Sequence, residues 1–218
     1  MEPQWPPVRA PRLVLGRYVL SAVLLAVLPA CFGGWSIKEP PRSSGAPPPQ
    51  REETLYYKVD RVTGVTIGDG ESGLRDGIRE NRVFANVAQL PEPVDNGLWV
   101  HARAVYRAPH IATLVWAYVD YLVFYATLPI WLNGGYDIHF RVYRDAEMIR
   151  EYEYPARYWM FGWVVALPLM WINALTDSEY DTFREATERF FIDASEDGVF
   201  EPNAKPPPED EYEGLPKA

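Results

Sequence analysis

Residues 158–175 read YWMFGWVVALPLMWINAL, eighteen positions without one charge. Residues 111–132, IATLVWAYVDYLVFYATLPIWL, carry a single one, Asp120. Apolar stretches this long must be buried in protein or in lipid, because leaving them in water forfeits roughly 25 cal/mol per Å². As a helix, eighteen residues rise about 27 Å, close to the ~30 Å hydrocarbon core of a bilayer. Both segments share a pattern, ATLPIW at 126–131 and ALPLMW at 166–171. Against a simple span, Pro129 and Pro168 would kink a helix, and a charge at the depth of Asp120 costs at least ~2.5–3.5 kcal/mol. Three placements stay open: two transmembrane helices, a half-inserted pair lying against one leaflet, or the buried core of a domain. Tryptophan and tyrosine favour the headgroup level. The membrane-contact candidates are therefore Trp116, Tyr121, Trp131, Trp159, Trp163 and Trp171.

The start of the chain carries a second membrane-directed feature. Arg9, Arg12 and Arg17 precede an apolar run from Tyr18 to Val27, too short to span a bilayer as a helix. These are the parts of a secretory signal over 1–30. It ends in Leu28-Pro29-Ala30-Cys31, and Cys31 is the single cysteine of the chain. A lone cysteine cannot close an internal disulfide. The tetrad resembles the lipobox of bacterial lipoproteins, with proline a less usual residue in its middle. The resemblance implies cleavage between Ala30 and Cys31, diacylation of the Cys31 sulfur and palmitate-type acylation of the new amino group. One acyl chain holds a protein marginally and two hold it stably, at about 0.8 kcal/mol per buried methylene. In enteric bacteria an aspartate after the cysteine retains a lipoprotein in the inner membrane. Phe32 stands there, so the same resemblance implies the outer membrane, facing the periplasm.

Charge excludes one class of partner. The chain carries −9 overall, and residues 1–30 hold three arginines against Glu2, so the processed chain is at −11. A nucleic-acid partner would call for a basic patch.

Composition divides the rest. Residues 31–53 read as the cysteine that the resemblance implies is lipidated, followed by a Gly-, Ser- and Pro-rich tether expected not to fold alone. Residues 54–201 are one domain, and 202–218 are a disordered, acidic, Pro-rich tail. Within the domain, Thr54 to Ile67 alternates as a strand, and Leu74 to Asn81 reads as a short helix. Arg82 to Leu90 and Leu98 to Arg107 alternate as strands. Tyr136 to Tyr143 and Met148 to Tyr154 form a hairpin about Arg144–Glu147. Thr176 with Glu179 suggests a capping box for a last helix striped by Phe183, Ala186, Phe190, Phe191 and Ala194. The order predicts an α+β fold: a mainly antiparallel sheet of about four to five strands, helices on one face, and two apolar helical segments flanking a strand hairpin. In topology this resembles small envelope lipoproteins built as a sheet with two helices, such as the lipopolysaccharide-assembly lipoproteins. Leu128-Pro129 followed by Tyr152-Glu153-Tyr154 resembles a further set of uncharacterised envelope lipoproteins, and implies no activity.

Motifs for chemistry are weak. Gly68-Asp69-Gly70-Glu71-Ser72-Gly73 matches G-x-G-x-x-G, but Asp69 and Glu71 would repel a pyrophosphate. Asp193-x-Ser195-x-Asp197-Gly198 resembles half a calcium loop and lacks the glutamate at its twelfth position. His101 and His139 lie on the polar faces of two strands. If those strands pair, they could meet near Asp137 as a metal or acid–base site. Solvated strand faces explain them equally well. No catalytic residue, metal ligand or cofactor site is nominated. The function read from this is a non-enzymatic, lipid-anchored envelope component, bound to membrane lipid through Cys31 and acting on an envelope protein partner. The alternatives are a lipid or small-ligand carrier, and an envelope hydrolase or metal enzyme using the strand-face histidines.

Overall fold

The computed structural model describes residues 31–37, 50–63, 69–123, 128–163, 176–202 and 204. Among these the fold is α+β, with strands β1 (Cys31–Ile37), β2 (Arg51–Val59), β3 (Phe84–Gln89), β4 (Leu98–Arg107), β5 (Ile130–Arg144) and β6 (Glu147–Gly162). The helices are α1 (Gly70–Arg79), α2 (Ile111–Val123) and α3 (Glu179–Glu196). The strands form one sheet in the order β1-β6-β5-β4-β2-β3. Pairings from β1 through β4 are antiparallel, while β2 runs parallel to both β3 and β4. Its six strands are one more than the four to five expected, and the sheet is mixed, with three of its five pairings antiparallel. The reason is the crossover: α1 carries the chain back from β2 so that β3 enters in the same direction.

Alternation decides the core. Leu98, Val100, Ala102 and Ala104 of β4, Tyr136, Ile138, Phe140 and Val142 of β5, and Tyr152, Tyr154 and Ala156 of β6 are buried on one face. Helices α1 and α3 pack together against that face. At its centre Phe140 stacks on Phe190 with ring centroids 4.4 Å apart, and Tyr152, Phe191 and Phe200 close around Phe190. The glycine-rich motif serves this packing. Asp69 caps α1 by accepting from the Ser72 amide at 3.2 Å. Gly73 meets α3 so closely that a Cβ would collide with the Tyr180 carbonyl, and a Cβ on Gly77 would stand 2.8 Å from Thr187.

The last helix starts two residues later than the sequence suggests. Its cap is Ser178, which accepts from the Asp181 amide at 3.1 Å while the Asp181 carboxylate reaches back to the Ser178 amide. Thr176 instead donates to the Gly33 carbonyl at 2.8 Å. The acidic end of α3 is likewise spoken for. Tyr154 donates to Asp193 at 2.6 Å and Tyr152 to Asp197 at 2.9 Å, and Gly198 ends the helix with φ +69°.

Four further expectations are corrected. Residues 31–37 are not a tether but an edge strand along β6, so the Pro-rich stretch at 38–49 joins two strands of the sheet. Gly33 is there because a Cβ would collide with the Trp159 carbonyl, not to loosen the chain. Within 111–132 the helix ends at Val123, and Ile130 opens β5 directly after Pro129, which cannot continue a helix. In 158–175 the first five residues extend β6. That stretch is apolar on both faces: Tyr158 turns to the core, and Trp159 and Phe161 join Trp131 in a row of aromatic rings on the other face. Its remainder, 164–175, lies outside the described residues, as do the signal 1–30 and most of the tail. The strand expected over 54–67 ends at Val59.

Candidate functional site

One end of the sheet differs from the rest of the molecule. β4 stops at Arg107, opposite Gly135. β5 continues for five more residues, Ile130 to Gly134, paired only with Gly162 to Tyr158 of β6. On its other side this part of β6 pairs with β1, which brings the backbone of Cys31 opposite Gly162. Gly162 is also the partner of Ile130. Three strand ends, one of them beginning at Cys31, therefore finish together.

The sheet face turned away from α1 and α3 carries aromatics here. Trp131 stacks on Trp159 at 5.6 Å and 10°, meets Phe161 at 5.9 Å, and Phe161 meets Trp163 at 6.4 Å. Trp131 is half exposed, and its indole N–H donates to Asn133 at 2.9 Å. Pleating explains the row, since residues two apart on β6 share a face.

Helix α2 follows the end of β4 and packs on β5. Its burial is inverted. Ile111, Leu114, Val115, Trp116, Tyr118 and Leu122 are exposed, from 43 % to 73 %, whereas Asp120 is completely buried. The spacing of Ile111, Leu114, Val115, Tyr118 and Leu122 places them on one stripe of the helix. A helix seated on a core normally turns such a stripe inward. Here the inward group is a carboxylate, and Asp120 Oδ1 accepts from the Leu128 amide at 3.1 Å, tying the helix to the approach to β5. His110 precedes the helix, and its Nδ1 accepts from the Ala112 amide at 3.2 Å. Thirteen residues rise about 20 Å, short of a bilayer core. Among the described residues no helix is long and apolar enough to cross a membrane.

Of the sequence-nominated residues, Trp131, Trp159 and Trp163 thus come together, and Trp116 is exposed on α2. Tyr121 lies on α2, while Ala30 and Trp171 fall outside the described residues. The histidines do not converge. His101 stands opposite Arg141, and His139 opposite Arg103. His101 lies 3.0 Å from Asp60, and His139 lies 3.1 Å from Glu151, which Arg141 also engages at 3.1 Å. Asp137 is taken by Arg157 at 2.6 Å and Arg107 at 3.1 Å. Burial opposes ionisation of Asp60, but the His101 hydrogen bond, with His101, Lys58 and Arg103 charges, holds its carboxyl below the usual range. Among the described residues no three His, Cys, Asp or Glu side chains group as metal ligands.

Sequence reasoning missed the tyrosines beneath this end. Tyr136 is fully buried beside Trp35, and Tyr106 and Tyr158 bring their hydroxyls to 3.5 Å. Burial, then the charges of Glu179 and Tyr106, push Tyr136 up to about 12. Burial and the Tyr106 hydrogen bond raise Tyr158, and burial with the Asp197 hydrogen bond raises Tyr152. An unfolded chain ionises its tyrosines near pH 10. The stability contributed by the neutral rings is therefore whole below pH ~10 and is lost as pH rises towards 12. Tyrosinate absorbance and far-ultraviolet circular dichroism should rise and fall together over that interval. Full titration near pH 10 with the fold intact would contradict this arrangement.

These features define an α+β protein with one apolar, aromatic-rich end. No family model and no curated protein matches the chain. Among solved structures it is similar to a minor lipoprotein from Acinetobacter baumannii, at 10% identity over 69% of this chain and 96% of that one, with a TM-score of 0.36. It is also similar to PelC from Paraburkholderia phytofirmans, solved as a dodecamer, at 12% identity over 69% and 98% of the two chains, with a TM-score of 0.24. Likenesses this low leave function to be read from the chain's own residues.

Proposed function

We propose that this chain is a non-enzymatic, lipid-anchored envelope protein that seats its apolar end on the leaflet holding its acylated Cys31. One observation carries the reading: β1 begins, at Cys31, at the end of the sheet that holds the Trp131–Trp159 stack and the half-exposed Trp131. The inverted burial of α2 supports it, because a stripe of Ile, Leu, Val and Tyr facing outward is what an interfacial helix presents to lipid. With β1 starting at the anchor, the domain lies flush on the leaflet rather than hanging from a tether. Phe32 after the cysteine favours the outer membrane. The charged part of the sheet and the helices α1 and α3 then face the periplasm, where an envelope partner is engaged.

The test is chemical. The full chain is expressed in a bacterium fed an alkyne-tagged palmitate, and the product is labelled and weighed intact. The expected product begins at Cys31 and carries the label, which Cys31→Ser abolishes. A product cut elsewhere, or one beginning at Cys31 without acyl mass, would overturn the anchor.

A further inference from the structure

We infer that a groove beside the end of β4 binds the phosphate of an anionic lipid headgroup. The inference rests on the membrane-facing reading and names the lipid chemistry at the border of that surface. Beyond Val59 the chain leaves β2, and residues 60–63 run on next to β4. They and the end of β4 border an open groove of about 500 Å³, lined by Asp60, Arg61, Thr63, Arg103, Val105 and Tyr106. That volume is in the range of small-molecule sites.

The lining suits an anion. Asp60 is the one carboxylate in it, and it is already engaged by His101 at 3.0 Å and Lys58 at 3.7 Å. Arg61 and Arg103 are exposed, and among the described residues neither forms an ion pair. Nearby, Arg107 and Arg157 share the single carboxylate of Asp137. Lys58, Arg61, Arg103, Arg107 and Arg157 thus gather about Asp60 and Asp137, while Glu151, further along the sheet, is engaged by His139 and Arg141, in a chain whose net charge is −9. A local cationic border on an acidic protein is charge complementarity to an anionic surface. The two cationic side chains answer a phosphate by charge. The groove is also continuous with the apolar end, since Val105 lines it and is itself 40 % exposed. A phospholipid has the same sequence of parts: a phosphate, then acyl chains.

The acylated full-length chain is compared with R61Q/R103Q and with R61K/R103K. Native mass spectrometry from detergent measures binding of phosphatidylglycerol against phosphatidylcholine. Separately, the chains are reconstituted with phosphatidylcholine brominated along its acyl chains, and tryptophan quenching is read. Quenching is expected in all three. The preference for phosphatidylglycerol should fall roughly 10- to 30-fold in R61Q/R103Q, and be largely kept in R61K/R103K. Excess inorganic phosphate should not displace the lipid. Quenching with an unchanged preference in R61Q/R103Q would overturn the groove and spare the membrane-facing reading. Displacement by inorganic phosphate would make the site one for a free anion and overturn the lipid assignment. Absence of quenching in the wild type would remove the membrane-facing reading, and this inference with it.

Discussion

Phe190→Ala should destabilise the fold by about 3–5 kcal/mol, the range for truncating a fully buried phenylalanine. Phe190 is completely buried and touches four other rings, stacked on Phe140 and edge-on or tilted to Tyr152, Phe191 and Phe200. Two of these come from the sheet and two from the α3 end of the chain, so the ring joins both layers of the core. Collapse into the cavity is restricted, because Tyr152 is held to Asp197 by a 2.9 Å hydrogen bond. The cavity term should therefore stay large. Urea denaturation gives the answer from the shift in midpoint at constant slope. Trp116→Ala is the matched control, since its exposed ring on α2 should change stability by no more than ~0.5 kcal/mol. A loss below about 1 kcal/mol for Phe190→Ala would mean that the two layers do not meet where described.

The second large effect is on membrane partitioning and leaves the fold alone. Replacing Leu114, Val115, Tyr118 and Leu122 together with glutamine changes the exposed stripe of α2 and no buried contact. The urea midpoint should hardly move. Burying a large apolar side chain is worth about 1.5–3 kcal/mol, and these four are already partly covered. Roughly half that value for each predicts a loss of about 3–6 kcal/mol, or 10²- to 10⁴-fold in partition coefficient. The measurement is co-flotation of the processed chain, made without its acyl groups, with phosphatidylcholine vesicles. Removing the acyl groups matters, because two acyl chains alone anchor a protein stably and would hide the helix. Unchanged flotation with an unchanged midpoint would show that α2 does not touch lipid. A large drop in the midpoint would show that the stripe packs on the protein.

Much of the fold was legible because its rules are local. The strand Leu98–Arg107 was read from alternation alone, and the two ends coincide. The stripe of Phe183, Ala186, Phe190, Phe191 and Ala194 was read from helical spacing, and all five are buried. The cap was misplaced by two residues because Thr176 and Ser178 satisfy the same local pattern. Only the neighbouring Gly33 carbonyl, 143 positions away in the chain, decides which hydroxyl is free to cap.

The candidate site was half legible. Its residue types were visible, since Trp116, Trp131, Trp159 and Trp163 stand out in any apolar run. Their arrangement was not. An uninterrupted apolar stretch such as 158–162 reads alike as helix or as a strand apolar on both faces. The rings that Trp159 and Tyr158 meet come from Trp131 and Trp35, far away in the chain.

The sequence by itself determined the α+β class, the breakers between elements, the apolar character of two long segments and the acidic balance of the chain. Each follows from neighbours within a few positions, through period, caps and charge. Tertiary structure alone decided that Cys31 to Ile37 pair with β6, that β2 runs parallel to its neighbours, and that α2 turns Asp120 inward and its apolar stripe outward. Which strand pairs with which, and which helix face is covered, depend on contacts between residues far apart in the chain. No local pattern carries that information.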